Sequence, residues 1–349
     1  MTTWRYRLNL QMSPQNVSLS DSLHVAVLAS ILCLLIYWLI RDRQRVRNLS
    51  GKHVFITGCD TGLGNSLAKW FDTRGFCVIA ACATEKGGQE LQSCSSPSLK
   101  TVNLNLADSN SIARAVLFVT KETSGKGLFG LVSDAEGTAP IAPTDWLSIE
   151  DFHSVLDVSL LGLIEITLKL LPLLKKAEGR VVNLIHAKGI TAFAGGGYSL
   201  SKWGMEAFSD TLRIEMQHFG VKVSIVEHGF FKAVADSDVM KGNLVRLWNG
   251  LTPEIRNSYG EKYFVEYIKA QRSLVERLCD SDTSNVIKCM EHALTSKYPR
   301  TRYGAGWDAK FFGLFLSYAP SCLSDMLLRM MFPAPAAGRR SVPGVVINI

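Results

Sequence analysis

Two periodicities alternate along this chain. From residue 52 onward, short apolar runs rich in β-branched residues are separated by stretches whose apolar positions recur every three to four residues. The first predicts buried strands and the second amphipathic helices. "KHVFITGCDTGLGNSLAKWFDTRGFCVIAAC" (52–82) opens the series: a strand at His53–Thr57, glycines, a helix, and a second strand at Cys77–Cys82. The pattern continues with an apolar run at 101–106, a helix from Ser109, and a run at 128–132. A long helix through 155–177, a strand at 179–185, a helix from Tyr198 to about Phe219, and a strand at 221–227 follow. Such alternation predicts an α/β fold with a parallel sheet covered on both faces.

The alternation stops between Phe230 and about Val286, where 252–279 reads as amphipathic helix. A lid on the substrate side and a cover for the sheet edge both fit this stretch. The apolar segment 311–332 is interrupted by Pro320 and Asp325. Docking on a membrane and packing on the domain both fit it. The expected organisation is therefore a tail and anchor at 1–48, a main domain at 49–310 with a helical insertion at about 231–285, and an apolar segment and tail at 311–349.

Ahead of these elements lies "LHVAVLASILCLLIYWLI" (23–40), with no Asp, Glu, Lys or Arg from Ser22 to Ile40. Its eighteen residues span about 27 Å as a helix, close to the hydrocarbon thickness of a bilayer. Tyr37 and Trp38 sit at one end, as interfacial aromatics do. The residues before the run, and the lack of a small-residue cleavage pattern after it, argue against a cleaved signal peptide. A helix over about 22–40 is thus predicted to anchor the chain. Arg41, Arg43, Arg45 and Arg47 follow it, against Arg5 and Arg7 before it, so the positive-inside rule puts the bulk of the chain in the cytosol. Asn16 and Asn48 both begin glycosylation sequons, on opposite sides of the run, and do not fix the topology.

With 349 residues, 47% of them hydrophobic, the chain can fill one large core. A net charge of +7 without a basic patch interleaved with aromatics gives no reason to expect a nucleic-acid partner. The eight cysteines form no C-x-x-C pair and no zinc spacing, so free thiols and no metal are expected.

Two stretches carry chemistry. Thr57-Gly58-Cys59-Asp60-Thr61-Gly62-Leu63-Gly64 follows a strand and opens a helix, as a Rossmann-type turn does when it holds a pyrophosphate against a helix N-terminus. The residues expected to hold a dinucleotide are Thr57, Gly58, Asp60, Thr61, Gly62, Leu63 and Gly64. The second strand ends Ala81-Cys82-Ala83-Thr84, with neither the acid that suits NAD nor the base that suits NADP. Glu85 and Lys86 follow with opposite implications; NAD is slightly favoured over NADP. In "GGGYSLSK" (195–202), Tyr198 and Lys202 lie four residues apart on a predicted helix. They share a face, so the ammonium can lower the phenol pKa from its ordinary value near ~10.

These motifs resemble the short-chain dehydrogenase/reductase superfamily, with T-G-x-x-x-G-x-G followed about 140 residues later by Y-x-x-x-K. The stretches "GLIEITLKLLP", "GGGYSLSKWGMEAFSDTLR", "HFGVKVSIVE" and "MEHALTSKYPRTRYGAGWDAK" are similar to its membrane-bound retinol and hydroxysteroid dehydrogenase branch. The resemblance covers roughly 50–332. It implies a Rossmann-type doubly wound sheet and Tyr198 as acid/base. It also implies Lys202 as activator and ligand of the nicotinamide ribose, Asn105 near the adenine, and a retinoid or steroid substrate. An endoplasmic reticulum location and a homodimer through the helix of Tyr198 and the long helix before it are further implications.

The same comparison exposes departures. Thirteen residues before the tyrosine the family places a serine that holds the substrate oxygen; here it is Ile185, within "VNLIHAKG". His186 is adjacent, but neighbours on a strand face opposite ways. The family's relay asparagine is Ser159, its N-N-A-G is Ser133-Asp134-Ala135-Glu136, and the aspartate of L-D-V-T is Asn105. Its P-G-x-x-x-T reads His228-Gly229-Phe230-Phe231-Lys232-Ala233. The expectation is a membrane-anchored dehydrogenase-like protein with weak or no catalysis. The alternative is an active oxidoreductase that interconverts a hydrophobic alcohol and its carbonyl. One prediction is independent of that choice: removing residues 1–48 moves the protein from the membrane pellet to the soluble fraction on ultracentrifugation, and a truncated protein that still pellets with vesicles speaks against a single N-terminal anchor.

Overall fold

The structure, a computed structural model, describes residues 19–134, 141–186, 195–229, 237–278, 283–306 and 319–337. It divides into two units. The first, residues 1–45 with 296–298, is dominated by helix α1 (Leu19–Arg43), which begins and ends about three residues beyond the predicted span. Within it, Leu23–Arg43 is long and apolar enough to cross a membrane, and none of its apolar window is buried. Arg41 and Arg43 close its last turn, where cations suit the negative end of the helix dipole.

The second unit holds a seven-stranded sheet. Its strands are β1 (His53–Ile56), β2 (Cys77–Cys82), β3 (Lys100–Asn103), β4 (Gly130–Ser133), β5 (Arg180–His186), β6 (Lys222–His228) and β7 (Arg302–Ala305). Their order is β3-β2-β1-β4-β5-β6-β7, and every pairing is parallel. The order reverses between β1 and β4, which is where a doubly wound sheet opens a crevice at its carboxyl ends. Six strands match predicted runs to within a few residues. The seventh, "RYGA", is too short and too polar to stand out by periodicity. Arg302 holds it in place: its guanidinium meets Glu206 and Glu227 at 3.1 Å each and Asp210 at 2.7 Å.

Alternate strand residues feed two cores, as a two-residue side-chain period requires. On one face Val54, Ile56, Val78, Ala80, Val182 and Leu184 pack under helices α2 (Gly62–Thr73), α3 (Glu85–Ser93) and α11 (Ser284–Thr295). On the other, Phe55, Ile79, Leu131, Val181, Ile185 and Ile225 pack under α4 (Ser109–Glu122), α6 (Leu163–Lys176) and α7 (Gly196–Met216). The predicted long helix is α5 (Ile149–Leu156) running into α6 through a π-helical segment, Asp157–Gly162. A Cβ on Gly162 would lie 2.2 Å from the Leu106 carbonyl oxygen, so only glycine lets the distorted turn approach the loop after β3.

The stretch without alternation forms α8 (Ser237–Gly250), α9 (Pro253–Tyr259) and α10 (Glu261–Leu278). These helices build a third, aromatic core around Trp146, whose ring centroid lies 5.1 Å from Trp248, 5.4 Å from Tyr259 and 5.8 Å from Tyr267. The segment 319–337, which contains α12 (Ser321–Met331), packs on it. Phe332 lies 5.3 Å from Tyr267, and the N–H groups of Ala336 and Ala337 donate to the Tyr259 and Ser258 carbonyls at 2.9 Å. Packing on the domain therefore accounts for the end of the predicted apolar segment; 307–318 and 338–349 lie outside the described residues. Because Trp146 touches every wall of this core, Trp146→Ala should cost about 3–5 kcal/mol in urea unfolding at unchanged far-ultraviolet dichroism. A loss below about 1 kcal/mol would contradict the packing described.

Candidate functional site

The crevice is tied together at the point of strand reversal. Thr57, fully buried at the end of β1, donates its hydroxyl to the Asp134 carbonyl at 2.7 Å and accepts the Asp134 N–H at 2.8 Å. Gly58 (φ +70°) passes so close that a Cβ would sit 2.6 Å from that same carbonyl oxygen, and a Cβ on Gly64 would sit 2.3 Å from the Gly58 oxygen. Side chains at either position would break the turn. Gly62 (φ +66°) instead has open space where its Cβ would be. Thr61 caps α2 in extended backbone without a side-chain hydrogen bond, and the first turn holds no acid. The N–H groups at the start of α2 thus face a clear approach with no built-in anion, which is what a pyrophosphate needs. Leu63, by contrast, is buried under the sheet and acts in packing.

Two predicted cofactor residues are engaged by the chain itself. The Asp60 carboxylate accepts from the Ala83 N–H, the Thr84 N–H and the Thr84 hydroxyl. The Asn105 side-chain Oδ1 accepts the Ala107 N–H at 3.0 Å, which closes the turn after β3. Burial, with the Asp60 charge second, pushes the Cys82 thiol up to about 12, and burial first of all raises Cys59 as well. Both thiols stay protonated and serve as core residues.

Tyr198 and Lys202 lie in the first turns of α7, both buried, with Lys202 Nζ 5.1 Å from the Tyr198 ring centroid. The predicted pairing across one helical turn is therefore in place. The three glycines before the tyrosine have a use that the sequence did not reveal. A Cβ on Gly195 would meet the Ala142 oxygen at 2.1 Å, one on Gly196 the Leu147 Cδ1 at 2.2 Å, and one on Gly197 the Val155 Cβ at 3.1 Å. Their absence lets 142–155 lie directly against the start of α7. Ala142 and Trp146 belong to the aromatic core, so that core adjoins the start of α7 at Gly195. Burial, with Tyr259 second, pushes the Tyr263 phenol in this core up to about 12.

Ile185 is fully buried in the aliphatic core with Met205 and Leu212 of α7. On the same face of β5, Asn183 donates to the Ser209 hydroxyl of α7 at 2.7 Å. The strand and the helix run in opposite senses, so the residue two positions on from Asn183 lies nearer the helix start that carries Tyr198. Ser159 is buried within the π-helical segment. At the end of β6, His228 Nδ1 donates to the Gly229 carbonyl at 2.6 Å. The His186 side chain, Glu136 and 230–233 lie outside the described residues. Among the described residues no group of His, Cys, Asp and Glu is arranged to hold a metal.

Comparison with known proteins agrees with this geometry. A family profile described as short chain dehydrogenase matches residues 52–243. Retinol dehydrogenase 7 of Rattus norvegicus is 51% identical over 83% of this chain and 92% of its own length. Retinol dehydrogenase 16 of Homo sapiens is 45% identical over 90% and 98%, and human 17-beta-hydroxysteroid dehydrogenase type 6 is 46% identical over 86% and 95%. Among solved structures, a short-chain dehydrogenase from Streptomyces avermitilis has a TM-score of 0.63 at 22% identity, over 80% of this chain and 96% of that one. One from Burkholderia cenocepacia, in complex with NADP, has a TM-score of 0.59 at 17% identity, over 80% and 99%. The strand order, the glycine turn and the Tyr198–Lys202 pair thus have a common origin: the chain belongs to the short-chain dehydrogenase family, in its retinol and hydroxysteroid dehydrogenase branch.

Proposed function

We propose that this chain is a membrane-anchored, dinucleotide-binding member of the branch whose turnover of hydrophobic alcohols is weak or absent. The observation that carries the reading is Ile185: an aliphatic side chain, fully buried, on the strand face toward the helix of Tyr198. The turn Thr57–Gly64 supports binding of NAD or NADP, with the pyrophosphate at the start of α2 and Lys202 near the nicotinamide ribose. When bound, the nicotinamide gives or takes hydride at the carbon that bears the substrate oxygen. Tyr198 then passes a proton to or from that oxygen, and Lys202 favours the phenolate by its charge. What is lacking is a second hydrogen-bond donor to the same oxygen. Removing one such donor costs ~10²–10³ in rate, and Ser159 in the relay position weakens proton supply further.

The substrate class suggested by the relatives is a retinoid or steroid, a hydrophobic alcohol or ketone. The arginines after α1 favour the sheet domain in the cytosol, and the resemblance to the membrane-bound branch favours the endoplasmic reticulum as the membrane. Exposed Leu200, Trp203 and Ile214 on α7, with Leu161 and Leu168 on the preceding helix, support a homodimer through these two helices. An active oxidoreductase is the second reading, favoured by the buried Tyr198–Lys202 pair.

Fluorescence titration with NADH and NADPH, followed by assays with retinol and androgen alcohols, separates the two. Binding is expected with turnover that Ile185→Ser raises by about 10²-fold, since one oxygen donor is restored. Thermal melting of the variant checks that it folds. If the variant folds and binds the dinucleotide yet gains no activity, the block assigned to Ile185 is wrong; brisk wild-type turnover favours the second reading.

A further inference from the structure

The chain leaving α1 is bonded to a segment 252 residues further along. Arg45 and Ser296 form an antiparallel bridge. The Lys297 N–H donates to the Gln44 carbonyl at 3.0 Å, and the Ser296 hydroxyl reaches the same carbonyl at 3.4 Å. Residues 296–298 thus belong with α1 to the first unit. The Ser296 hydroxyl also accepts the Tyr298 N–H at 3.1 Å, which fixes the turn there. Two cations gather on the Tyr298 ring: Arg41 Cζ lies 4.4 Å and Lys297 Nζ 5.5 Å from its centroid. Both lie within the range at which a cation is drawn to an aromatic face.

The charge at this point is one-sided. Arg41, Arg43, Arg45 and Lys297 are all exposed, and Asp42 is the one acid within 39–45 and 296–298. Arg45 donates to the Asp42 and Gln44 carbonyls at 2.6 and 3.5 Å. Arg41, Arg43 and Lys297 have no carboxylate partner among the described residues. A ring contact uses the face of the Arg41 guanidinium and leaves its N–H edge to acceptors. The apolar span ends at Arg43. Headgroups extend about 5–7 Å beyond the hydrocarbon, and a helix climbs ~1.5 Å per residue, so Arg41–Arg45 and the segment bonded to them fall at headgroup depth. We propose that Arg41, Arg43, Lys297 and Tyr298 form a binding site for the anionic headgroup of a membrane phospholipid such as phosphatidylserine. The arginines supply planar donor edges for phosphate or carboxylate, the lysine a point charge, and the tyrosine an amphipathic ring at the interface. The cytoplasmic leaflet, the side that the arginines favour, is the one that carries anionic lipid. This inference rests on the membrane-anchor reading above.

The test is lipid selectivity, which needs no catalysis. Full-length protein is reconstituted into vesicles of phosphatidylcholine and of phosphatidylcholine with phosphatidylserine at about 4:1. Flotation and resistance to carbonate extraction report the anchor. Trace spin-labelled phosphatidylserine and phosphatidylcholine report which lipid is held, through the motionally restricted fraction of each spectrum. Phosphatidylserine should associate at least ~5-fold more strongly, the effect of one basic residue at an anionic surface. Lys297→Gln should lower that preference about 3–5-fold, and Lys297→Arg should keep it. A Lys297→Gln protein that integrates and melts like the wild type yet keeps the full preference overturns the proposal. Should it melt early, the wild-type preference measured from about 0.05 to about 0.5 M salt decides instead. A preference set by charge shrinks with salt; one that does not shrink overturns the site. Equal association of both lipids with the wild type sinks this inference and leaves the anchor standing. Extraction by carbonate from both kinds of vesicle sinks the anchor and the inference with it.

Discussion

The hydrogen-bond pair between Thr57 and Asp134 is the constraint from which the rest of the crevice follows. It joins the ends of β1 and β4, the two strands between which the sheet changes direction. Buried polar groups of this kind are costly unless both partners are satisfied. Here a single hydroxyl satisfies an N–H and a C=O at once, so the chain after β4 is held against the glycine turn. With that junction fixed, α2 is presented with its N-terminus open, and β5 and α7 take their places one strand further along.

The fold was legible because its signal is repeated. Strand after strand, β-branched runs alternate with helical periodicity, and two-faced burial leaves every central strand apolar. What escaped was whatever lacks repetition. Strand β7 is four residues long and depends on the ion pairs of Arg302 with residues on α7 and β6, which no local pattern announces. The π-helical segment at Asp157–Gly162 is equally hidden, since its distortion answers a contact between Gly162 and the Leu106 carbonyl far away in sequence. Such segments often sit at functional sites, and this one contains Ser159, where the family resemblance implies a relay residue.

The candidate site was legible in part for the same reason. Glycines and the tyrosine–lysine spacing are local signals, and the structure brings each pair or turn together as the spacing implies. Asp60 was not legible in this way. Its place in the glycine motif suggests contact with a ligand, yet its partners lie 23 and 24 residues on. Only the juxtaposition of two turns at the sheet edge shows that its carboxylate belongs to both. Ile185 is the converse case: a departure visible at once, whose weight depends on the face of β5 that it occupies.

The glycine run before Tyr198 has a consequence for how such a site can diversify. Gly195 rests on main chain, the Ala142 carbonyl oxygen, while Gly196 and Gly197 take the side chains of Leu147 and Val155 against them. A side chain on Gly195 or Gly196 would push the 142–155 segment off the start of α7, so substitution there disrupts the contact rather than adjusting it by degrees. The aromatic core next to it is held instead by side chains, and its rings, among them Trp248, Tyr263 and Tyr267, can be exchanged one at a time. The start of α7 and the aromatic core are in this way held by opposite means, one by the absence of side chains and the other by their bulk.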